Sequence, residues 1–219
     1  MKFNRAFLVV GVIALAVAGF FFGKRFLENR EVARVSEITK TSSDILIRRT
    51  AARLGREGAP VTVVEFFDPE CESCRAFHPM TKMLLEEFQG KVLFVFRYAP
   101  FHPNSRFAIQ ILEAARKQNR YWETLDTLYQ YQPQWGDHHN PRPELVWNYI
   151  SKLDLDIEKL KAEMNSPEIE EIIKQDTQEG QTLGVRMTPS FFVNGVPLTT
   201  FGYEPLRQLI IQALTKQGE

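Results

Sequence analysis

Two cysteines, Cys71 and Cys74, are the only ones in the chain, and they stand three residues apart in Cys71-Glu72-Ser73-Cys74. At the start of a helix this spacing puts both sulfurs on one face, close enough to bridge. The leading cysteine would face unsatisfied N–H groups and the positive end of the helix dipole, so its thiolate is favoured. The second, one turn in, is shielded. The chemistry this allows is thiol–disulfide exchange: one thiolate attacks, a mixed disulfide forms, and the partner resolves it. Zinc sites also use this spacing. A metal reading needs further ligands, for which His78, His102, His138 and His139 are available without a second Cys-x-x-Cys.

Two more residues bear on that chemistry. Glu65 lies in the otherwise apolar run Val61-Thr62-Val63-Val64-Glu65-Phe66-Phe67. If buried, its pKa rises and it can exchange protons near Cys74; if edge-facing, it is a solvated glutamate. Thr188-Pro189 precedes the apolar Ser190–Val193. A proline there cannot donate to a strand ladder, and it is either a cis turn proline or an ordinary trans one. His78 could face the cysteines, although a packed or solvated histidine is the plainer reading.

The elements that must position these groups follow from periodicity. Val61–Phe67 reads as a buried strand bounded by Pro60 and Asp68-Pro69. Cys74 to Phe88 has helical spacing and stops at Gly90, and Val92–Phe96 is a second strand, so the three make a βαβ unit with a parallel pair. Candidate helices follow at 104–117, 120–131, 144–152, 156–164 and 167–183, with a loop at Gln132–Pro143 around Trp135. Tyr121, Trp122, Tyr129, Tyr131 and Trp135 fit an aromatic core better than a ligand box. Asn194-Gly195 between short apolar runs predicts a type I′ hairpin, and a last helix spans about 203–215.

The N-terminus differs. Ala6 to Phe22 is an unbroken run of 17 apolar or glycine residues between Lys2/Arg5 and Lys24/Arg25. A bilayer span takes about 20 residues. Residues 1–23 are therefore expected to be a membrane anchor or, if cut after Ala16-Val17-Ala18, a signal segment. Residues 24–58 read as a charged, partly helical tether, and Leu54–Pro60 as the loop before a domain at 59–219. Residues 1–58 hold 11 Lys+Arg and 5 Asp+Glu, a net of +6, against 16 and 22, a net of −6, in 59–219. The acidic domain argues against nucleic-acid binding. The basic flank after the run would leave the domain in the cytoplasm by the positive-inside rule, whereas a reducing cytoplasm would keep the dithiol idle. The cysteine chemistry favours the extracytoplasmic side.

Gly58–Cys74, read with Gly184-Val185-Arg186-Met187-Thr188-Pro189-Ser190-Phe191-Phe192-Val193-Asn194-Gly195 far downstream, resembles the DsbA-like thiol:disulfide oxidoreductases of the thioredoxin superfamily. The similarity covers roughly residues 55–217. It implies an α/β thioredoxin fold with an inserted helical domain at about 103–184, here preceded by the transmembrane helix and charged tether. It also implies an enzyme without a cofactor, acting on unfolded or newly exported proteins and recycled by a membrane redox partner. The catalytic roles it carries over are Cys71 as nucleophile, Cys74 as resolving cysteine, Glu65 as buried acid/base and Pro189 as cis-proline. Thr188 and Pro189 would bind the peptide substrate. The expected setting is the bacterial inner membrane, with a single pass and the catalytic domain facing the periplasm, or a soluble periplasmic form after cleavage. Met187 stands where the family often has glycine. Glu70 and Glu72 would repel a Cys71 thiolate, which predicts a milder oxidant than the strongest members. Alternatives are a disulfide isomerase or reductase kept reduced, and a metal-binding adaptor using the same dithiol.

Overall fold

The computed structural model describes residues 3–41 and 43–217. Its elements in chain order begin with α1 (Phe3–Thr41), α2 (Ser43–Leu46), β1 (Ala52–Gly55), β2 (Val61–Phe67), α3 (Glu72–Glu87) and β3 (Val92–Tyr98). Five helices follow: α4 (Ser105–Arg116), α5 (Tyr121–Trp135), α6 (Val146–Ile150, after a 3₁₀ turn at Pro143–Leu145), α7 (Ile157–Glu163) and α8 (Pro167–Thr182). The chain ends with β4 (Ser190–Val193), β5 (Val196–Pro197) and α9 (Tyr203–Thr215).

The strands form one sheet in the order β1-β3-β2-β4-β5. β2 and β3 run parallel, with Val61 opposite Val92 and Phe67 opposite Tyr98. The other three pairs are antiparallel. β3 is buried along its whole length and β2 at every residue except Thr62. Such continuous apolar runs are what a sheet covered on both faces requires. One face, with Val63, Phe67, Phe94 and Phe96, joins the core of α3, α9 and the helical block. The other, with Val64, Phe66, Leu93 and Val95, meets Val35, Leu46, Leu183 and Val185. This is the expected thioredoxin-like fold, with α4–α8 between β3 and β4 in sequence.

The N-terminal third departs from the expectation in two ways. First, no helix is long and apolar enough to cross a membrane among the described residues. Nothing is described of Met1 and Lys2 or of side chains through Leu8, so part of the expected 1–23 anchor lies outside those residues. Second, the segment expected to be a tether is docked on the domain. Ala52–Gly55, taken for the end of a tether and the start of a loop, pairs antiparallel with β3. Neither β-branched residues nor alternation mark these four positions; the free edge of β3 makes the strand. Val35 and Leu46 are each 3% exposed, and burial of each is worth about 1.5–3 kcal/mol. The Thr39 hydroxyl donates to the Gly195 carbonyl at 3.0 Å.

The β4–β5 turn takes the type I′ form, with φ 45° at Asn194 and 83° at Gly195. Asn194 also binds the start of β2: its Oδ1 accepts from the Thr62 N–H at 2.8 Å. A Cβ on Gly195 would fall 2.6 Å from Thr39 Oγ1, so glycine is required there twice over. α5 also runs further than expected, through Pro133 to Trp135. That tryptophan is fully buried and its Nε1–H donates to the Leu128 carbonyl.

Candidate active site

β2 carries the chain to the centre of the molecule, and the loop Asp68–Cys71 turns it into α3. Cys71 is the N-cap of that helix, in extended conformation (φ −74°, ψ 122°). Its N–H donates to the Asp68 carbonyl at 3.1 Å, and its own carbonyl accepts from Arg75 N–H at 3.0 Å. Both cysteines are free thiols; Cys71 is 7% exposed and Cys74 is fully buried. The Thr188–Pro189 bond is cis, and the Cys71 thiol donates to the Thr188 carbonyl at 3.3 Å. The structure thus brings Cys71, Cys74, Thr188 and Pro189 together although more than a hundred residues of sequence separate the pairs.

The two sulfurs are electrostatically unlike. The Cys71 pKa falls to about 5, chiefly through a hydrogen bond with the Cys74 side chain, helped by the Thr188 side chain and the N–H groups of Cys74 and Ser73 against the opposing effect of burial. Burial pushes the Cys74 thiol well above its ordinary value, and the neighbouring Cys71 and Glu65 charges push it further. At neutral pH one sulfur is a thiolate and the other keeps its proton.

Glu65 is not an edge residue. It sits mid-strand between Phe96 and Phe191, is 3% exposed, and has the Thr81 hydroxyl at 3.4 Å. Burial raises its pKa to about 8, which the Thr81 hydrogen bond only partly offsets. His78 points elsewhere: its Nε2 bonds Asp126 at 2.7 Å and its ring packs on Tyr129. The supposed repulsion from Glu70 and Glu72 is also corrected. Glu70 is buried, with its two oxygens accepting from the backbone and side chain of Asn104, and Glu72 points to solvent. Neither is among the causes acting on Cys71.

Two residues with no assigned role in the sequence reading, Asp68 and Gln132, frame the site. The Asp68 carboxylate is fully buried and accepts from the N–H groups of Glu70, Phe101 and His102, from the Ser105 hydroxyl, and from His102 Nδ1. The Asp68 N–H reaches Cys74 Sγ at 3.5 Å. Gln132, expected in a loop, donates from Nε2 to the carbonyls of Pro69 and Cys71, while its Oε1 accepts from Arg75. Their signal was the Asp-Pro turn and a polar side chain on the buried stripe of α5. Among the described residues no group of three or more His, Cys, Asp and Glu side chains is arranged to hold a metal ion.

A helix-start cysteine of lowered pKa, a buried second thiol, a buried acid and a facing cis-proline stand together on a thioredoxin fold. A family model described as Thioredoxin matches residues 48–212. The chain belongs to the thioredoxin family. It is similar to the probable disulfide bond formation protein D of Bacillus anthracis, 33% identical over 175 residues, which are 76% of this chain and 80% of that protein. It is also 34% identical over 144 residues to a Na(+)/H(+) antiporter, NhaA 3, of Salinispora tropica, covering 64% of this chain but only 21% of the antiporter. The chain thus matches about a fifth of the length of such relatives. Among solved structures, a thioredoxin-like oxidoreductase from Silicibacter pomeroyi superposes with a TM-score of 0.68 at 29% identity, covering 78% of this chain and 97% of that one. The family match begins at residue 48, ahead of β1, consistent with that strand belonging to the domain rather than to a tether.

Proposed function

We propose that this protein is an extracytoplasmic thiol:disulfide oxidoreductase that forms disulfides in exported proteins. The observation that carries the reading is the opposed protonation of two cysteines one helical turn apart, Cys71 with a pKa of about 5 and Cys74 raised by burial. In the oxidising direction a client thiolate attacks Cys71 Sγ of the Cys71–Cys74 disulfide. A mixed disulfide forms and Cys74 leaves. Glu65, protonated at neutral pH with its pKa of about 8, is the buried group that supplies a proton to the departing Cys74 sulfur. A second client thiolate then attacks the client sulfur of the mixed disulfide and releases Cys71 as its stable thiolate. The client has lost two electrons and the dithiol has gained them. A membrane redox partner removes them again.

Thr188 and Pro189 are the substrate-binding residues in this reading: the Thr188 carbonyl lies against the reactive sulfur, where an extended client peptide must approach. The N-terminal segment keeps the domain at a membrane. The apolar run Ala6–Phe22 supports this, as do the exposed Val9, Val10, Val12, Ile13, Leu15, Phe20 and Phe22 and the antiporter names of several relatives. The extracytoplasmic side is favoured because a reducing cytoplasm would leave the dithiol with nothing to oxidise.

Trapping with Cys74→Ala tests the reading. The variant should accumulate mixed disulfides through Cys71, since nothing remains to resolve them, and the captured chains identify clients and recycler. No adducts, or labelling of Cys74 ahead of Cys71 in the native wild type at pH 7, would overturn it.

A further inference from the structure

The backbone of Cys71 is held from two directions. From its own helix, the Arg75 N–H reaches the Cys71 carbonyl at 3.0 Å and closes the first turn of α3. From the helical insertion, Gln132 reaches the same carbonyl. This side chain, on α5 and 1% exposed, donates from Nε2 to the Pro69 carbonyl at 2.9 Å and to the Cys71 carbonyl at 3.1 Å, and its Oε1 accepts from Arg75 Nε at 2.8 Å. The amide is therefore fully used. Flipped, it would set its oxygen against two carbonyls and its NH2 against a guanidinium, so only one orientation is satisfied. The other ties of the loop come from Asp68, whose carbonyl accepts from Cys71 N–H and whose carboxylate accepts from Glu70 N–H.

We propose that Gln132 is a positioning residue for Cys71: through one amide, the helical insertion holds the reactive loop so that the sulfur stays over the open N–H groups at the head of α3. The proposal rests on Cys71 being the attacking sulfur and adds which part of the fold keeps it in place.

The sulfur depends on that placement. Cys71 is the helix N-cap, extended at φ −74° and ψ 122°, and a capping side chain meets the N–H groups of the following turn from such a conformation. Those of Ser73 and Cys74 are among the groups that lower its pKa. On its other side lies the Thr188 carbonyl at 3.3 Å, so a displaced loop loses partners on both sides. The charged groups nearby are engaged elsewhere: Arg75 with Gln132, Glu70 with Asn104, and Asp68 with His102 and Ser105. In the disulfide form the sulfur carries no charge, so the helix-start N–H groups favour the reduced form over the oxidised one. Loosening the loop therefore weakens the reduced form selectively and makes a weaker oxidant.

Two variants of the full chain test this. Gln132→Met fills nearly the same space, carries no charge and donates nothing; Gln132→Asn keeps an amide but is one methylene too short to span both carbonyls. Equilibration with glutathione gives the potential, and thiolate absorbance against pH gives the Cys71 titration. The methionine variant should lower the equilibrium constant for oxidising glutathione about tenfold, a potential about 30 mV more reducing, with a matching rise in the proton affinity of Cys71. The asparagine variant should shift both in the same direction and by less, and it carries the test if the methionine variant does not fold. A residue that merely fills the core would destabilise the oxidised and reduced forms alike and leave the potential where it was. A folded variant of either kind with the wild-type potential therefore overturns the proposal, however far its melting temperature falls. A wild-type Cys71 that titrates at its ordinary value overturns the oxidoreductase reading instead, before any variant is made.

Discussion

The two faces of the central sheet each bury charge, and they do so in opposite ways. On the face toward α3, Glu65 stands among aromatic rings with only the Thr81 hydroxyl beside it. On the face toward the N-terminal segment, Arg97 is also fully buried, but it is saturated. It donates to Asp176 at 2.8 Å, to Glu179, and to the carbonyls of Ile45 and Leu46, and its guanidinium lies over the Phe66 ring. Arg48 pairs with the same two carboxylates, and Asp176 accepts as well from Tyr98 N–H. A buried ion with every partner in place holds structure together; a buried acid without a cation is left to change its protonation state near neutrality. The saturated face ties α2 and Arg48 to the sheet and to α8. The unsaturated face leaves Glu65 with its pKa raised to about 8.

The comparison can be broken most severely at Arg97. Arg97→Ala strands Asp176 and Glu179 with Arg48 alone and frees two backbone carbonyls, and should cost about 3–5 kcal/mol in denaturant unfolding. A loss under about 1 kcal/mol would show that the cluster is not that tie.

Glu65→Gln should do the reverse. Between its unfolded value of 4.5 and about 8, folded Glu65 holds a proton that the unfolded chain has released. Stability therefore falls as pH rises through that window and levels off above it. At pH 7 the penalty is roughly 3 kcal/mol. The glutamine variant should gain about that much at pH 7 and little near pH 4, while its exchange rate drops because the proton donor is gone. Unfolding curves across pH 4–9 with matched kinetics test both halves, and a destabilised variant at pH 7 would refute the account.

The smallest effect is a potential. With Cys71 near 5, between roughly 7 for thioredoxin and 3.5 for the strongest oxidant of the superfamily, equilibration with glutathione should give a value between about −270 and −120 mV. A result at or below the lower figure would mean the thiolate is not stabilised as described.

The catalytic face was the more legible in sequence. Cys71 and Cys74, the alternation-free β2 and β3, and the Asn194-Gly195 turn are local patterns, and each carries its own periodicity or spacing. Glu65 could be read as buried only because its strand was. The opposite face was opaque for a physical reason: its order comes from pairing over long separations. Ala52–Gly55 has no strand propensity of its own, and Arg48 and Arg97 look like ordinary surface charges until Asp176 and Glu179 arrive from more than seventy residues away. Charge intuition misled as well. Glu70, adjacent to Cys71 in sequence, gives its carboxylate to Asn104, whereas Asp68 meets His102 through a turn that no motif marks.

The contact between Thr39 and the Gly195 carbonyl has a mechanical side. It is where the long first helix grips the β4–β5 hairpin, and β4 leads back within a few residues to Pro189, Thr188 and the sulfur of Cys71. The Thr39 hydroxyl, with Val35 packed beside Phe192, joins the helix to the hairpin that continues from the cis-proline. Whatever restrains the amino-terminal end of this molecule therefore has leverage on its reactive end.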